Sequence, residues 1–178
     1  MYRWVHRFTP LLVEAPRPCR HAPGDRWFVD ETCQIAGRGV SLYRAIDQYG
    51  QVIDVLVSPK RDLAATRRLF TCALKHGPRP AEVSTDGAPS YPRVLDELVP
   101  SAWHVVEQYA NNPIEADHGR LKPRLRPMHG LKRLRSARVI CTGHAFVQNL
   151  RRGHYELGLD VDPKHQVTAA FVELALAI

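Results

Sequence analysis

"RWFVDETCQIAGRGVSLYRAIDQYGQVIDVLVS", Arg26 to Ser58, sets the architecture of this chain. Its first ten residues alternate and are rich in aromatic and β-branched side chains, the pattern of a half-buried strand. "VSLYRAID" (40–47) and "QVIDVLVS" (51–58) read as two more strands, and Asp47, Gln48, Tyr49 and Gly50 between them read as a tight hairpin. Downstream the period changes. "RDLAATRRLFTCALKHG" (61–77) predicts an amphipathic helix with Leu63, Leu69, Phe70, Ala73 and Leu74 inward and Gly77 as the stop. "AEVST" (81–85) is a short strand, "SYPRVLDELV" (90–99) a helix and "AWHVVE" (102–107) a fifth strand. From Asn112 the pattern is helical to the end, with breaks near 123–130 and 157–164. Upstream, "FTPLLVEAPRP" (8–18) predicts a short helix capped by Thr9, with Pro10 in its first turn and Pro16 and Pro18 ending it.

Three antiparallel strands extended by parallel strands through helical crossovers make an α/β fold. The expected architecture is a mixed five-stranded sheet flanked by helices, with the element order of a ribonuclease-H-like domain. The 178 residues suffice for one compact domain. They divide on this reading into a residual N-terminal tail (1–25), the α/β domain (26–156) and a C-terminal helical tail (157–178). In that tail, "VTAAFVELALAI" reads as a core helix before it reads as a partner surface.

The formal net charge is +7, and the pI is about 9.5. The excess is local. From Glu115 to Arg152 the bases are Arg120, Lys122, Arg124, Arg126, Lys132, Arg133, Arg135, Arg138, Arg151 and Arg152, against Glu115 and Asp117 alone. A stripe of this kind, mostly arginine, is the electrostatic footprint of a nucleic-acid binder. The four cysteines form no C-x-x-C pair, and no apolar run approaches the 18 residues of a membrane span. The chain reads as cytoplasmic and nucleoid-associated, with no membrane partner.

Three acids stand out against this order. Asp30 lies inside a strand, where Asp is disfavoured, on the face of Phe28 and Thr32 and opposite Trp27 and Val29. Asp86 ends the fourth strand in "STDG". Glu115 lies in the first turn of a helix, where Asn112 as N-cap, Pro113 as first residue and Glu115 as third make a capping box by spacing. A salt bridge at Asp30, an ordinary turn at Asp86 and that cap are the structural alternatives. A sheet of this order brings the first strand's middle beside the fourth strand's end, and a helix laid across it can deliver a third carboxylate. Carboxylates so gathered repel one another unless a hard divalent cation sits among them. Lys122, seven residues after Glu115, falls on the same helix face about 10 Å away. Asp117 lies nearly opposite and is the minor alternative for the third acid. Pro123 removes one helical N–H and is expected to kink the helix there.

"RWFVDET", "LYRAIDQYGQVIDVLVSPKRD", "VSTDGAPSYPRVLDEL" and "QYANNPIEADHGRLKPRLRPMHGLK" together resemble the DDE transposases of the insertion-sequence-six family. "FTPLL" and "GHAFVQNLRRGHYEL" extend the resemblance over roughly residues 3 to 157. The resemblance implies an RNase H-like catalytic domain whose metal-binding triad is Asp30, Asp86 and Glu115, with Lys122 at the position of a common basic residue. It implies Mg²⁺ or Mn²⁺, as two ions, and double-stranded DNA as transposon ends and target. It also implies a homodimer or a larger synaptic complex. Arg120, Lys122, Arg124, Arg126, Lys132 and Arg133 are the expected DNA contacts. Several features depart from the family pattern. Residues 1–25 match only the end of the family's N-terminal helix-turn-helix region, so the chain reads as lacking most of it. Asp86 and Glu115 are closer in sequence than is usual, and Cys33 and Gly39 replace aromatic residues. The expected activity is metal-dependent DNA cleavage and strand transfer. The alternatives are a truncated, inactive DNA-binding remnant and a nuclease of the same fold with no joining step.

Overall fold

Alternation in 26–35 pays off as β1 (Arg26–Ile35), whose odd residues Trp27 and Val29 are wholly buried. The computed structural model describes residues 2–35, 40–107, 109–125, 133–162 and 164–177. β2 (Val40–Asp47) pairs antiparallel with β1, and β3 (Val52–Ser58) pairs antiparallel with β2. β4 (Glu82–Ser84) and β5 (Trp103–Val105) add parallel strands on the other side of β1. The sheet order is β3-β2-β1-β4-β5, the mixed five-stranded sheet expected from the sequence.

Asp47 holds the β2–β3 hairpin. Its Oδ1 accepts the N–H groups of Tyr49 (3.0 Å) and Gln51 (2.8 Å), and its Oδ2 accepts that of Gly24 (2.9 Å). Gly50 takes φ 78°, the left-handed conformation the turn requires.

α1 (Tyr2–Glu14) comes first, then α2 (Leu63–Ala73), α3 (Ser90–Leu98), α4 (Asn112–Leu125), α5 (Leu134–Arg151) and α6 (Gln166–Ala177). The chain divides into two compact units, 22–138 and a second made of 1–21 with 139–178.

In the first unit, Trp27, Val29, Tyr43, Ala45, Ile53 and Val83 form one core with Leu69, Phe70, Tyr91, Val94 and Leu95 from α2 and α3. α4 packs on β1 and β2. It presents Ile114, Asp117 and His118 as its buried stripe, at the i, i+3, i+4 spacing of one helix face. The helix runs through Pro123 to Leu125.

In the second unit, Phe146, Leu150, Tyr155, Leu157, Ala170 and Leu174 form a core, joined by Leu12 and Val13 of α1. The sequence "VTAAFVELALAI" thus supplies core residues from α6. α1 corrects the expectation of a helix capped at Thr9. It starts at Tyr2 and carries Pro10 in its interior. A proline forfeits one backbone hydrogen bond. Trp4 and Phe8, stacked 5.0 Å apart one turn from each other, and the packing of the half-buried Leu12 and Val13 keep the helix continuous across that loss. Gly143 on α5 admits α1 closely, since a Cβ there would lie 2.8 Å from Thr9 Cγ2.

Candidate active site

The β1–β4 pairing builds the site. Phe28 stands opposite Ser84 in parallel register, so two residues on, Asp30 and Asp86 leave the same end of neighbouring strands. Among the described residues, Asp30, Glu31 and Asp86 are the acids able to share one ion. Each offers a carboxylate oxygen within 4.8 Å of the others. An all-oxygen, anionic donor set of that size suits Mg²⁺ or Mn²⁺.

Asp86 is fixed by its turn. Its Oδ1 accepts the Ala88 N–H (3.0 Å), and Thr85 Oγ1 accepts the Gly87 N–H (3.1 Å). Thr85 is held in turn by His104 Nε2 at 2.9 Å, and burial pushes His104 below its ordinary pKa. The turn that sequence reading weighed against a catalytic role therefore coexists with the acid cluster. Gly87 has φ 78°, and a Cβ there would lie 2.5 Å from Val106 Cγ1. Gly87→Ala is expected to cost about 1–3 kcal/mol through left-handed strain and overpacking. Thermal unfolding checks this, and a variant as stable as the parent would contradict it.

Asp30 occupies the face opposite the α2–α3 core. Its Oδ2 lies 3.4 Å from His118 Nδ1, and both side chains are largely buried. Its cross-strand neighbour is Arg44. Arg44 also meets Asp117 of α4, with Nε 2.6 Å from Oδ2, at 0% and 2% side-chain exposure. Asp117, the minor alternative for the third acid, is thus the counter-ion of a buried arginine.

Glu31 comes from the other face of β1. Burial raises its pKa above the usual carboxylate range, against the lowering effect of its hydrogen bond from Tyr91. It accepts hydrogen bonds from the Tyr91 hydroxyl and from Arg61, and Arg61 Nη2 also lies 3.5 Å from Asp86 Oδ2. Burial, with Glu31 next to it, pushes the Tyr91 hydroxyl far above its ordinary pKa. Sequence reasoning missed Glu31, Arg61, Tyr91 and His118. The available signals were a second acid directly after Asp30 and an arginine directly before the Asp62 helix cap.

Glu115 lies exposed in the first turn of α4 and is not one of the acids sharing the 4.8 Å group. The helix starts one residue earlier than the capping-box spacing implies. The Asn111 carbonyl accepts from Ile114 N (3.2 Å) and Glu115 N (3.4 Å), which moves the cap from Asn112 to Asn111. The reason is the Asn111 side chain, whose Nδ2 donates to Val29 O (3.1 Å) and pins the start of α4 to β1 beside Asp30. Of the expected DNA contacts, Arg133 is exposed. Arg126 and Lys132 lie outside the described residues, as do the side chains of Arg120, Lys122 and Arg124.

Solved structures with this fold include the simian T-cell lymphotropic virus intasome in complex with the PP2A regulatory subunit B56 gamma. The match has a TM-score of 0.56 at 14% identity and covers 82% of this chain and 55% of that one. The HTLV-2 integrase catalytic core domain in complex with magnesium, in its trimeric form, matches with a TM-score of 0.54 at 17% identity, covering 84% and 97%. The fold is therefore RNase H-like. Residues 24–154 match the IS240-type family model described as a DDE domain. The transposase for insertion sequence-like element IS431mec of Staphylococcus aureus is 31% identical over 130 residues, 70% of this chain and 58% of that protein. The transposase for insertion sequence element IS257 in transposon Tn4003, from the same species, matches to the same extent. The chain belongs to the DDE transposases of the insertion-sequence-six family. It spans 58% of the length of these curated relatives. Among the described residues, no helix is long and apolar enough to cross a membrane.

Proposed function

We propose that this chain carries the catalytic centre of a transposase that cuts transposon ends and joins them to target DNA. The observation that carries the reading is the convergence of Asp30 and Asp86 from adjacent parallel strands, with their oxygens within reach of one ion. Bound there as a pair, Mg²⁺ or Mn²⁺ ions would activate a water or a 3′-hydroxyl and stabilise the leaving oxygen of an in-line phosphodiester displacement. Asp30 and Asp86 would hold the ions, and Glu115 would complete the set from α4. The β1–β4 pairing and the Asn111–Val29 contact preorganise the first two acids and the helix that bears the third. Tyr91 and Arg61 keep Glu31 from adding an uncompensated negative charge to the site. Arg120, Lys122, Arg124, Arg126, Lys132 and Arg133 would grip DNA phosphates without reading bases. A homodimer or a larger synaptic complex would bring two ends together, in the nucleoid-associated cytoplasm.

A nicking assay on a terminal-repeat duplex tests the catalytic reading. Cleavage that appears with Mg²⁺ or Mn²⁺ and is lost with chelator is expected. Binding without metal-dependent cleavage would leave only a DNA-binding remnant. Cleavage without joining of a pre-cut end would make the chain a nuclease.

The basic stripe gives a separate expectation. Log affinity should fall with log salt by about 0.9 per phosphate contact. Replacing Lys122 and Arg126 with alanine should flatten that slope by about two contacts, equally on repeat and scrambled duplexes. An unchanged slope would remove these two residues from the DNA interface.

A further inference from the structure

We infer that Arg61 is a positioning residue of this site. It is the resident counter-ion of the carboxylates, and it couples cation binding to DNA binding. The inference rests on the reading that Asp30 and Asp86 hold the cation.

The anchor is built from both sides. Glu31 uses Oε1 for Arg61 and Oε2 for Tyr91, so both carboxylate oxygens already have partners. The Tyr91 ring is buried and meets Phe70 edge-on at 6.5 Å, which fixes its hydroxyl. Directly after Arg61, Asp62 caps α2 through its Oδ1 and the Ala65 N–H (2.8 Å), which fixes the backbone that carries the guanidinium. From there Arg61 spans Glu31 on β1 and Asp86 beyond β4. Asp30, Glu31 and Asp86 bring three ionisable carboxyl groups within 4.8 Å. One guanidinium among them offsets part of the negative charge that attracts a divalent cation. Glu31 therefore acts through Arg61 rather than as a ligand.

The guanidinium is also open to solvent. Its side chain is 50% exposed and lines an open cleft of about 650 Å³ with Asp86, Ser90 and Arg93. A DNA phosphate that pairs with Arg61 there neutralises the charge opposing the cation. Metal and DNA then favour each other's binding, and by linkage the coupling is reciprocal.

Calorimetric titration of Mn²⁺ into the parent chain, Arg61→Gln, Arg61→Lys and Asp86→Asn tests this, with and without a short duplex. Without DNA, Arg61→Gln should bind Mn²⁺ about three- to tenfold more tightly, the size expected for removing one positive charge some 5 Å from a divalent ion in a wet site screened by physiological salt. Arg61→Lys keeps the charge and should stay within about twofold of the parent. With saturating duplex, the gap between Arg61→Gln and the parent should close. Unchanged or weaker Mn²⁺ binding in Arg61→Gln, alongside lost binding in Asp86→Asn, would overturn the inference alone. Parent-like binding in Asp86→Asn would overturn the functional reading and this inference with it.

Discussion

Asp117→Ala is expected to cost about 3–5 kcal/mol of stability, because it leaves the Arg44 guanidinium charged and buried. Arg44 has no side-chain exposure, and its Nε lies 2.6 Å from Asp117 Oδ2. Neither group can recover the lost interaction from water. At this chain length the loss corresponds to about 10 °C in Tm. The pair itself need not be a net gain, since desolvating two charges consumes much of their attraction. Arg44→Met with Asp117→Leu should therefore recover most of what the single variant loses. Thermal and denaturant unfolding of the three proteins decides the matter. A single-variant loss under about 1 kcal/mol would mean that Arg44 is compensated without Asp117. The pair joins β2 to α4, the helix that carries Glu115, so its loss should also loosen that helix.

Asp30→Asn and Asp86→Asn are expected to remove the stabilisation given by Mg²⁺ or Mn²⁺. A ligand that binds only the folded state at a hundred times its Kd adds about 2.7 kcal/mol. In a chain of this size that is a rise of roughly 5–10 °C. Either substitution removes one carboxylate charge from a group whose oxygens lie within 4.8 Å of one another. The same variants should lose about 10³-fold or more in cleavage rate, about 4 kcal/mol of barrier. Differential scanning with and without metal reads the first effect, and single-turnover cleavage the second. Parent-like shifts in both variants would put the metal elsewhere.

The carboxylate pair was legible because sheets obey short-range rules. Alternation in 26–35 placed Asp30 opposite the Trp27–Val29 face, and a parallel fourth strand carried Asp86 to the same end. The supporting contacts were not legible because they join distant positions. Tyr91 reaches Glu31 across 60 residues of sequence, and Arg61 reaches it across 30. Arg44 reads as an ordinary polar position of β2 until α4 brings Asp117 against it. The start of α4 was missed because a contact distant in sequence sets it. Asn111 donates to Val29 O, and the cap position moves with it. α1 failed on propensity: Pro10 looks like a first-turn residue, yet the packing of Leu12 and Val13 carries the helix through it.

Anomalous diffraction from crystals soaked in Mn²⁺ is the most direct test of whether these carboxylates form a metal centre. The expected result is a peak about 2.1 Å from an oxygen of both Asp30 and Asp86, with Glu115 turned toward it and Arg61 drawn back from Asp86. Mn²⁺ seated away from both aspartates, or no peak at millimolar metal, would contradict the account.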